Sequence, residues 1–360
     1  TIADARQLIA TVQLRPLLHS NIVVDRLDFS DVQLNTAQLV PEARVKGKVG
    51  RLQLRSRGIN LARETVSVDK ATLEDAHLDI ALSDTVPEDT ASTPTRWQIA
   101  VGKLAIQRSN LQLHMPGDTL QVGVGIGSLK AERGHFDLLS GTYRLNMLDW
   151  QKGSLTYDNN FEKALKTGFD FNHIALTDIS LHLDSLLYNN DGLAVRLRQC
   201  AMSEQSGLHI KELSGKIRLD TTHIYLPDLR LRTPKSMLTA RIDMDFSTFD
   251  DHNPGKMQVD TKGYVVKSDF APLLGFIPKE FLRRLPDTPI TLNADVAGNM
   301  LALNIRQLAI TYPTVFALKA HGRAQNIMST NRLQADITVD AQTYNLNFVK
   351  SLLPASAAKA

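Results

Sequence analysis

Ten histidines, one cysteine and 38 Asp+Glu in a chain of 360 residues could serve acid–base, nucleophilic or metal chemistry if the sequence gathered them. Their spacing does not gather them. No His-Glu-x-x-His or His-x-His run presents two imidazoles to one metal ion. Asp178, His182 and Asp184 fall on one face of an alternating segment and could hold a cation, but the same positions are the water side of a strand with one apolar face, and the alternation favours that reading. Gly123-Val124-Gly125-Ile126-Gly127 has the look of a phosphate loop, yet alternation continues through it where a nucleotide fingerprint requires a helix. Neither a Gly-x-Ser-x-Gly elbow nor a Walker-type Gly-Lys-Ser/Thr occurs. Cys200 stands alone, so neither an intramolecular disulfide nor a thiolate cluster can form. The expectation is a protein that is not an enzyme and takes no cofactor and no metal.

The elements that carry these residues read as strands. In 237–247, Leu238, Ala240, Ile242, Met244 and Phe246 alternate with Thr239, Arg241, Asp243 and Asp245. In 290–296, Ile290, Leu292, Ala294 and Val296 alternate with Thr291, Asn293 and Asp295; in 333–340, Leu333, Ala335, Ile337 and Val339 alternate with polar residues. Period 2 places one set on a single face. Leu301, Leu303 and Ile305 repeat the pattern more weakly, as do Leu120 to Ile126 and Leu78 to Leu82. Some segments slip phase, as where Val45 and Val49 give way to Leu52 and Leu54, which predicts bulges. Helical patterning is confined to 3–18, to 159–166 and to a proline-broken amphipathic run over 269–285. Parallel βαβ units need more helix than this, so a doubly wound fold is excluded.

Composition sets the remaining bounds. With 43% hydrophobic residues the chain folds, and a net charge of +3 without charge blocks argues against a nucleic-acid partner. The length exceeds what one compact core holds, roughly 250–300 residues, so several domains or a repetitive architecture is expected. No stretch approaches a membrane-spanning run. The expected organisation is a first group of groove repeats over 1–82, a loop at 83–95, central repeats over 96–266, a broken helical plug at 267–286, further strands over 287–346, and the start of another plug with a ragged end at 347–360. The two plugs echo one another, Ser268-Asp269-Phe270-Ala271-Pro272-Leu273-Leu274 being answered by Asn347-Phe348-Val349-Lys350-Ser351-Leu352-Leu353-Pro354.

A sheet apolar on one side, with almost no helix to cover it, must hide that face against another sheet, against itself or against a ligand. The candidate inner positions are aliphatic and the chain is only 6% aromatic, which suits a smooth gutter for acyl chains. A 16-carbon tail carried through water unshielded faces a barrier of roughly 12 kcal/mol at about 0.8 kcal/mol per CH₂. The lining set is Leu238, Ala240, Ile242, Met244, Phe246, Ile290, Leu292, Ala294, Val296, Leu301, Leu303, Ile305, Leu333, Ile337 and Val339. The alternative is a dry-core β scaffold that presents a surface to an assembly partner, with a glycan-active β-solenoid as a distant third reading.

The run 17–34, Leu17-Leu18-His19-Ser20-Asn21-Ile22-Val23-Val24-Asp25-Arg26-Leu27-Asp28-Phe29-Ser30-Asp31-Val32-Gln33-Leu34, resembles the first repeats after the membrane anchor in TamB and AsmA-like proteins of Gram-negative envelopes. Gly215-Lys216-Ile217-Arg218-Leu219-Asp220, the stretch from Ile224 to the Thr233-Pro234-Lys235-Ser236 turn, the 270–278 plug and Ala297-Gly298-Asn299 resemble later repeats, and the turn style is similar to Bacteroidota members. The resemblance implies a mainly β, elongated curved sheet, the β-taco or repeating β-groove, with a few short helices. It implies a periplasmic body held in the inner membrane by an N-terminal anchor missing from this sequence, with phospholipid as cargo and roles in lipid movement and outer-membrane assembly. An Omp85-type barrel partner would be met through a part of the protein outside this fragment.

Overall fold

The computed structural model describes residues 3–13, 21–36, 43–82, 96–250, 252–275, 282–283, 285–329 and 331–345. The protein is mainly β, and its chain divides into two compact units, Thr1–Gly207 and Leu208–Ala360. The first holds β1 (Ala3–Gln13), β2 (Asn21–Asn35), β3 (Ala43–Asn60), β4 (Thr65–Leu82), β5 (Gln98–His114), β6 (Leu120–Asp137), β7 (Thr142–Asn159), β8 (His173–Asn189) and β9 (Gly192–Glu204). The second holds β10 (His209–Leu219), β11 (His223–Arg232), β12 (Met237–Asp245), β13 (Met257–Val265), β14 (Ile290–Asn299), β15 (Ala302–Tyr312), β16 (Phe316–Gln325) and β17 (Gln334–Thr343).

Within each unit every strand pairs with the next in sequence, and all these pairs are antiparallel except β4 with β5. The intervening 83–97 is long enough for the crossover a parallel pair demands. The expected loop at 83–95 and the expected end at 347–360 lie outside the described residues.

Two expectations are corrected. The 3–18 helix is strand β1 over its described part, paired to β2 through Leu8↔Phe29 and Ala10↔Leu27; a helix this short is marginal alone, and ladder pairing overrides its local pattern. The 159–166 helix is a turn, because Asn159 Oδ1 accepts the Phe161 N–H (3.2 Å) and Asp170 Oδ2 accepts the Leu165 N–H (2.7 Å), satisfying backbone donors side chain by side chain. The boundary between the two units, Gly207 to Leu208, falls within the expected 96–266 run; strands of up to 18 residues precede it, and β10 to β12, of 9–11 residues, follow it. In the plug Lys267–Phe270 is α-helical and passes into a 3₁₀ turn at Ala271–Leu274; 282–283 are again helical, and 276–281 and 284 lie outside the described residues.

Long strands stay one-sided in the first unit because their bulges line up. In β4 the apolar residues run Val66, Val68, then Ala71, Leu73, then Ala76, Leu78, Ile80, changing parity at Asp69 and again at Glu74-Asp75. A bulge opposes two residues to one, so each slip in sequence is cancelled and the apolar set returns to its face. Asp31, Asp75, Arg108, Lys152 and Asp178 all have φ between 47° and 53°, and they occupy one crease crossing β2 to β8. Gly50 and Gly127 fill the same crease in β3 and β6, where an added Cβ would lie 2.8 Å from Asp75 Cβ and 2.6 Å from Lys152 Cβ. A second crease runs through Arg57, Asp69, Gly102, Arg133 and Asp184.

Little of the apolar face is buried. One small cluster, Val32, Val49 and Ala76, is backed by Phe29, Leu52, Leu73 and Leu78; another, Tyr312 and Val315, packs on Leu285, Ile290 and Phe316. Accessible surface totals 22827 Å² for 39.9 kDa. A single compact core of that mass exposes about 14,000 Å².

Candidate functional site

Pairing register assembles the apolar residues into transverse rows. In the second unit one row runs Leu226–Ile242–Val259–Val296–Ile305–Gly322–Ile337, each residue directly opposite the next. A second runs Leu231–Leu238–Gly263–Leu292–Ile310–Leu318–Ala341, and between them lies Leu229–Ala240–Thr261–Ala294–Leu308–Ala320–Val339. Met244 and Leu303 belong to a fourth row, through Met257 and Gly298. Twelve of the fifteen residues read from alternation lie on strands in these rows or at their margin; Ile290, at the start of β14, packs on the Tyr312 cluster. Phe246, Leu301 and Leu333 do not lie on strands. Phe246 opens a 3₁₀ turn because its N–H is taken by the Thr222 carbonyl (2.8 Å), whereas Leu301 and Leu333 sit in the turns preceding β15 and β17.

Of the twelve, Ala294 alone is fully buried; Val339, on the last described strand, is 54% exposed and the others are half-buried. Of the polar positions between them, Thr239, Arg241 and Thr291 are exposed, whereas Asp243, Asp245, Asn293 and Asp295 are half-buried. The rows therefore form an apolar surface with no second layer over it among the described residues.

The first unit carries a larger version that alternation alone does not single out. One row runs Leu27–Leu54–Ala71–Leu104–Ala131–Leu148–Leu183–Leu197 and the next Phe29–Leu52–Leu73–Ile106–Leu129–Trp150–Leu181–Cys200. An aromatic row, Phe136–Tyr143–Tyr188, closes one end, with ring centroids 6.2 and 5.9 Å apart. Parity changes at the bulges hide these rows from a period-2 search; the signal that finds them is the recurring one-residue slip itself, as from Val68 to Ala71 and from Leu73 to Ala76. Cys200 ends its row half-buried, and that burial pushes its thiol up from the ordinary range, away from the thiolate a nucleophile or ligand needs.

Charged groups go to the creases and the polar face. Arg108 donates to Asp75 through Nε and Nη2 (2.7 and 2.9 Å), lowering the Asp75 carboxyl and raising the guanidinium. Arg57–Asp69 (2.6 Å) and Arg198–Asp184 (3.0 Å) repeat the pairing at the second crease. Asp178, expected beside His182 and Asp184, is itself a bulge residue; His182 lies instead 3.5 Å from both Asp149 and Asp184. Among the described residues no group of three or more His, Cys, Asp or Glu is placed to hold a metal ion.

A cleft at the strand ends of the second unit holds Asp250, His252 and Arg332. The Asp250 carboxylate caps the His252 and Asn253 amides (2.8 and 2.7 Å), the Asn253 bond contributing most to holding it below the ordinary range, so it serves the turn. At the opposite strand ends the plug is latched. Asp269 accepts from the Thr233 hydroxyl, from Ser236 Oγ (2.7 Å) and from the Lys235 N–H (2.8 Å). Lys235 Nζ meets Asp287 at 2.9 Å. Comparison with protein-family models and with curated proteins yields no match.

Proposed function

We propose that this chain is a non-enzymatic lipid conduit, a periplasmic β-groove of the TamB and AsmA-like type that shields phospholipid acyl chains between the inner and outer membranes and supports outer-membrane assembly. One observation carries the reading: aliphatic residues stand opposite one another across successive strands of each unit, most of them half-buried although Ala131, Leu183, Leu197, Leu226, Ala294 and Ala320 are buried, with no second layer over them among the described residues. Rows at roughly 4.8 Å strand spacing make an apolar surface that a hydrocarbon chain can follow, interrupted in the second unit by Thr261. Under the same reading this body would be held at the inner membrane and would work with an Omp85-type barrel partner. Lipid would be its ligand, with no nucleic-acid partner and no cofactor.

The test is photo-crosslinking in cells with a benzophenone amino acid at Ile242 on the apolar face and at Thr239 on the polar face. Phospholipid adducts at Ile242 alone are expected. Adducts at neither position, with no lipid extracted from the purified protein, would replace the conduit by a dry scaffold. Leu292→Asp separates the two further: it blocks lipid while leaving an open face folded, whereas it unfolds a covered core.

A further inference from the structure

Between β7 and β8 the loop 160–172 exposes Phe161 by 78%, Phe171 by 74% and Leu165 by 61%. Among the described residues Phe161 and Phe171 are the most exposed large apolar side chains, and nothing in the ladder requires them to face outward. Lys163 and Lys166 stand exposed beside Leu165; Glu162 is the loop's exposed acid, and Asp170 is buried within the loop.

The base of the loop is fixed. Asp170 takes the Leu165 and Asn172 N–H groups (2.7 and 2.9 Å) and lies 3.2 Å from His173 Nδ1. Asn159 Nδ2 donates to Asn172 Oδ1 at 3.2 Å, the Asn160 N–H donates to the Thr119 carbonyl at 3.0 Å, and the Phe169 and Phe171 rings meet edge to face at 4.7 Å. A braced loop presents its apolar tips without an ordering cost on contact.

We propose that the 160–172 loop is a membrane-contact element that inserts Phe161, Leu165 and Phe171 into the interface of a bilayer containing anionic lipid. Aromatic and aliphatic tips with lysines beside them match that boundary, where rings settle at headgroup depth and lysine stems reach back to phosphate. Three such side chains bury at most about 600 Å², less than the roughly 800 Å² per partner that a stable protein interface needs. Bilayer insertion has no such threshold, because each side chain contributes separately. The inference concerns one loop of the first unit and stands whether or not the apolar rows hold lipid.

Flotation of the whole 360-residue chain on vesicles of phosphatidylcholine and phosphatidylglycerol tests it. The combined variant Phe161→Ser, Leu165→Ser, Phe171→Ser is expected to lose vesicle partitioning by at least about tenfold. Lys163→Gln with Lys166→Gln weakens binding to the mixed vesicles and leaves binding to phosphatidylcholine alone unchanged. Should the serine variant misfold, Phe171→Trp decides: the introduced indole is quenched by brominated lipid beyond the background from Trp97 and Trp150. Flotation of a folded serine variant equal to the parent, or an unquenched indole, overturns the proposal. So does lost flotation accompanied by conversion of a dimer to a monomer in sedimentation velocity, which assigns the loop to a second copy.

Discussion

Asp28 shows how a single carboxylate is settled in a sheet with so little buried core. Its Oδ2 accepts from Gln53 Nε2 (2.9 Å), Arg26 Nη2 (3.1 Å) and Arg51 Nη2 (3.3 Å), and these bonds, Gln53 first, hold its pKa down to about 2. A folded-state pKa below the unfolded value of roughly 3.9 gives stability that is fully present above about pH 4 and lost as pH falls toward 2. Carboxyl titration by NMR should show Asp28 still ionised at pH 3, and Asp28→Asn should flatten the acid limb of the stability curve. At Asp269 burial pushes the carboxyl up, but hydrogen bonds from Thr233, Ser236 and the Lys235 amide outweigh it and leave the pKa below the usual value. Asp269→Ala strands those buried donors and should cost roughly 2–3 kcal/mol in urea denaturation of the second unit, with Asp269→Asn costing less.

In the first unit the long strands are one-sided only because their breaks are aligned. In a covered core Leu→Ala costs about 2–5 kcal/mol, transfer plus cavity; on an open face the cavity term vanishes because solvent or lipid fills the space. Leu104→Ala and Leu148→Ala, both half-buried, should therefore cost only about 1–1.5 kcal/mol each in chemical denaturation. Values above 3 kcal/mol would indicate a covered face. The creases respond in the opposite way. Gly127→Val places a branched carbon against Lys152, with its Cβ 2.6 Å from Lys152 Cβ and 2.9 Å from the Lys152 carbonyl oxygen, and should cost about 1–3 kcal/mol despite lying among half-exposed residues.

For the whole molecule, surface is the measurable quantity. An unfolded chain of 39.9 kDa exposes about 58,000 Å², so folding to 22827 Å² removes only about 60% of it, against roughly 75% for a single-core protein of 300 residues. The heat capacity of unfolding should accordingly fall about one fifth below the usual 12–15 cal/mol/K per residue. Calorimetry checks this, and a value at or above the usual range would mean that the apolar rows are covered in solution. Under the conduit reading, added phospholipid should raise Tm, since it binds the folded rows and not the unfolded chain.

The sequence by itself determined the class of the fold and the inner face of the short strands. From β11 onward alternation runs unbroken over long stretches, so Leu238, Ala240, Ile242 and Met244, with Leu292 and Val296, could be placed on one face from period alone. It determined too little in the first unit, where a bulge inverts parity every few residues and a local window sees conflicting faces in one strand. Val45 and Val49 against Leu52 and Leu54 marked one such slip, but whether slips in neighbouring strands coincide depends on register, and register is a property of paired strands. The strand at β1 was likewise decided by its pairing with β2, whereas the turn at 159–166 was decided by side-chain bonds from Asn159 and Asp170 within the same loop. Tertiary structure alone decided that Asp31, Asp75, Arg108 and Asp178 share a crease, that Leu27 and Leu197 end one row, and that the assembled rows are left half exposed: each follows from which backbone hydrogen bonds form across strands, and no residue encodes that by itself.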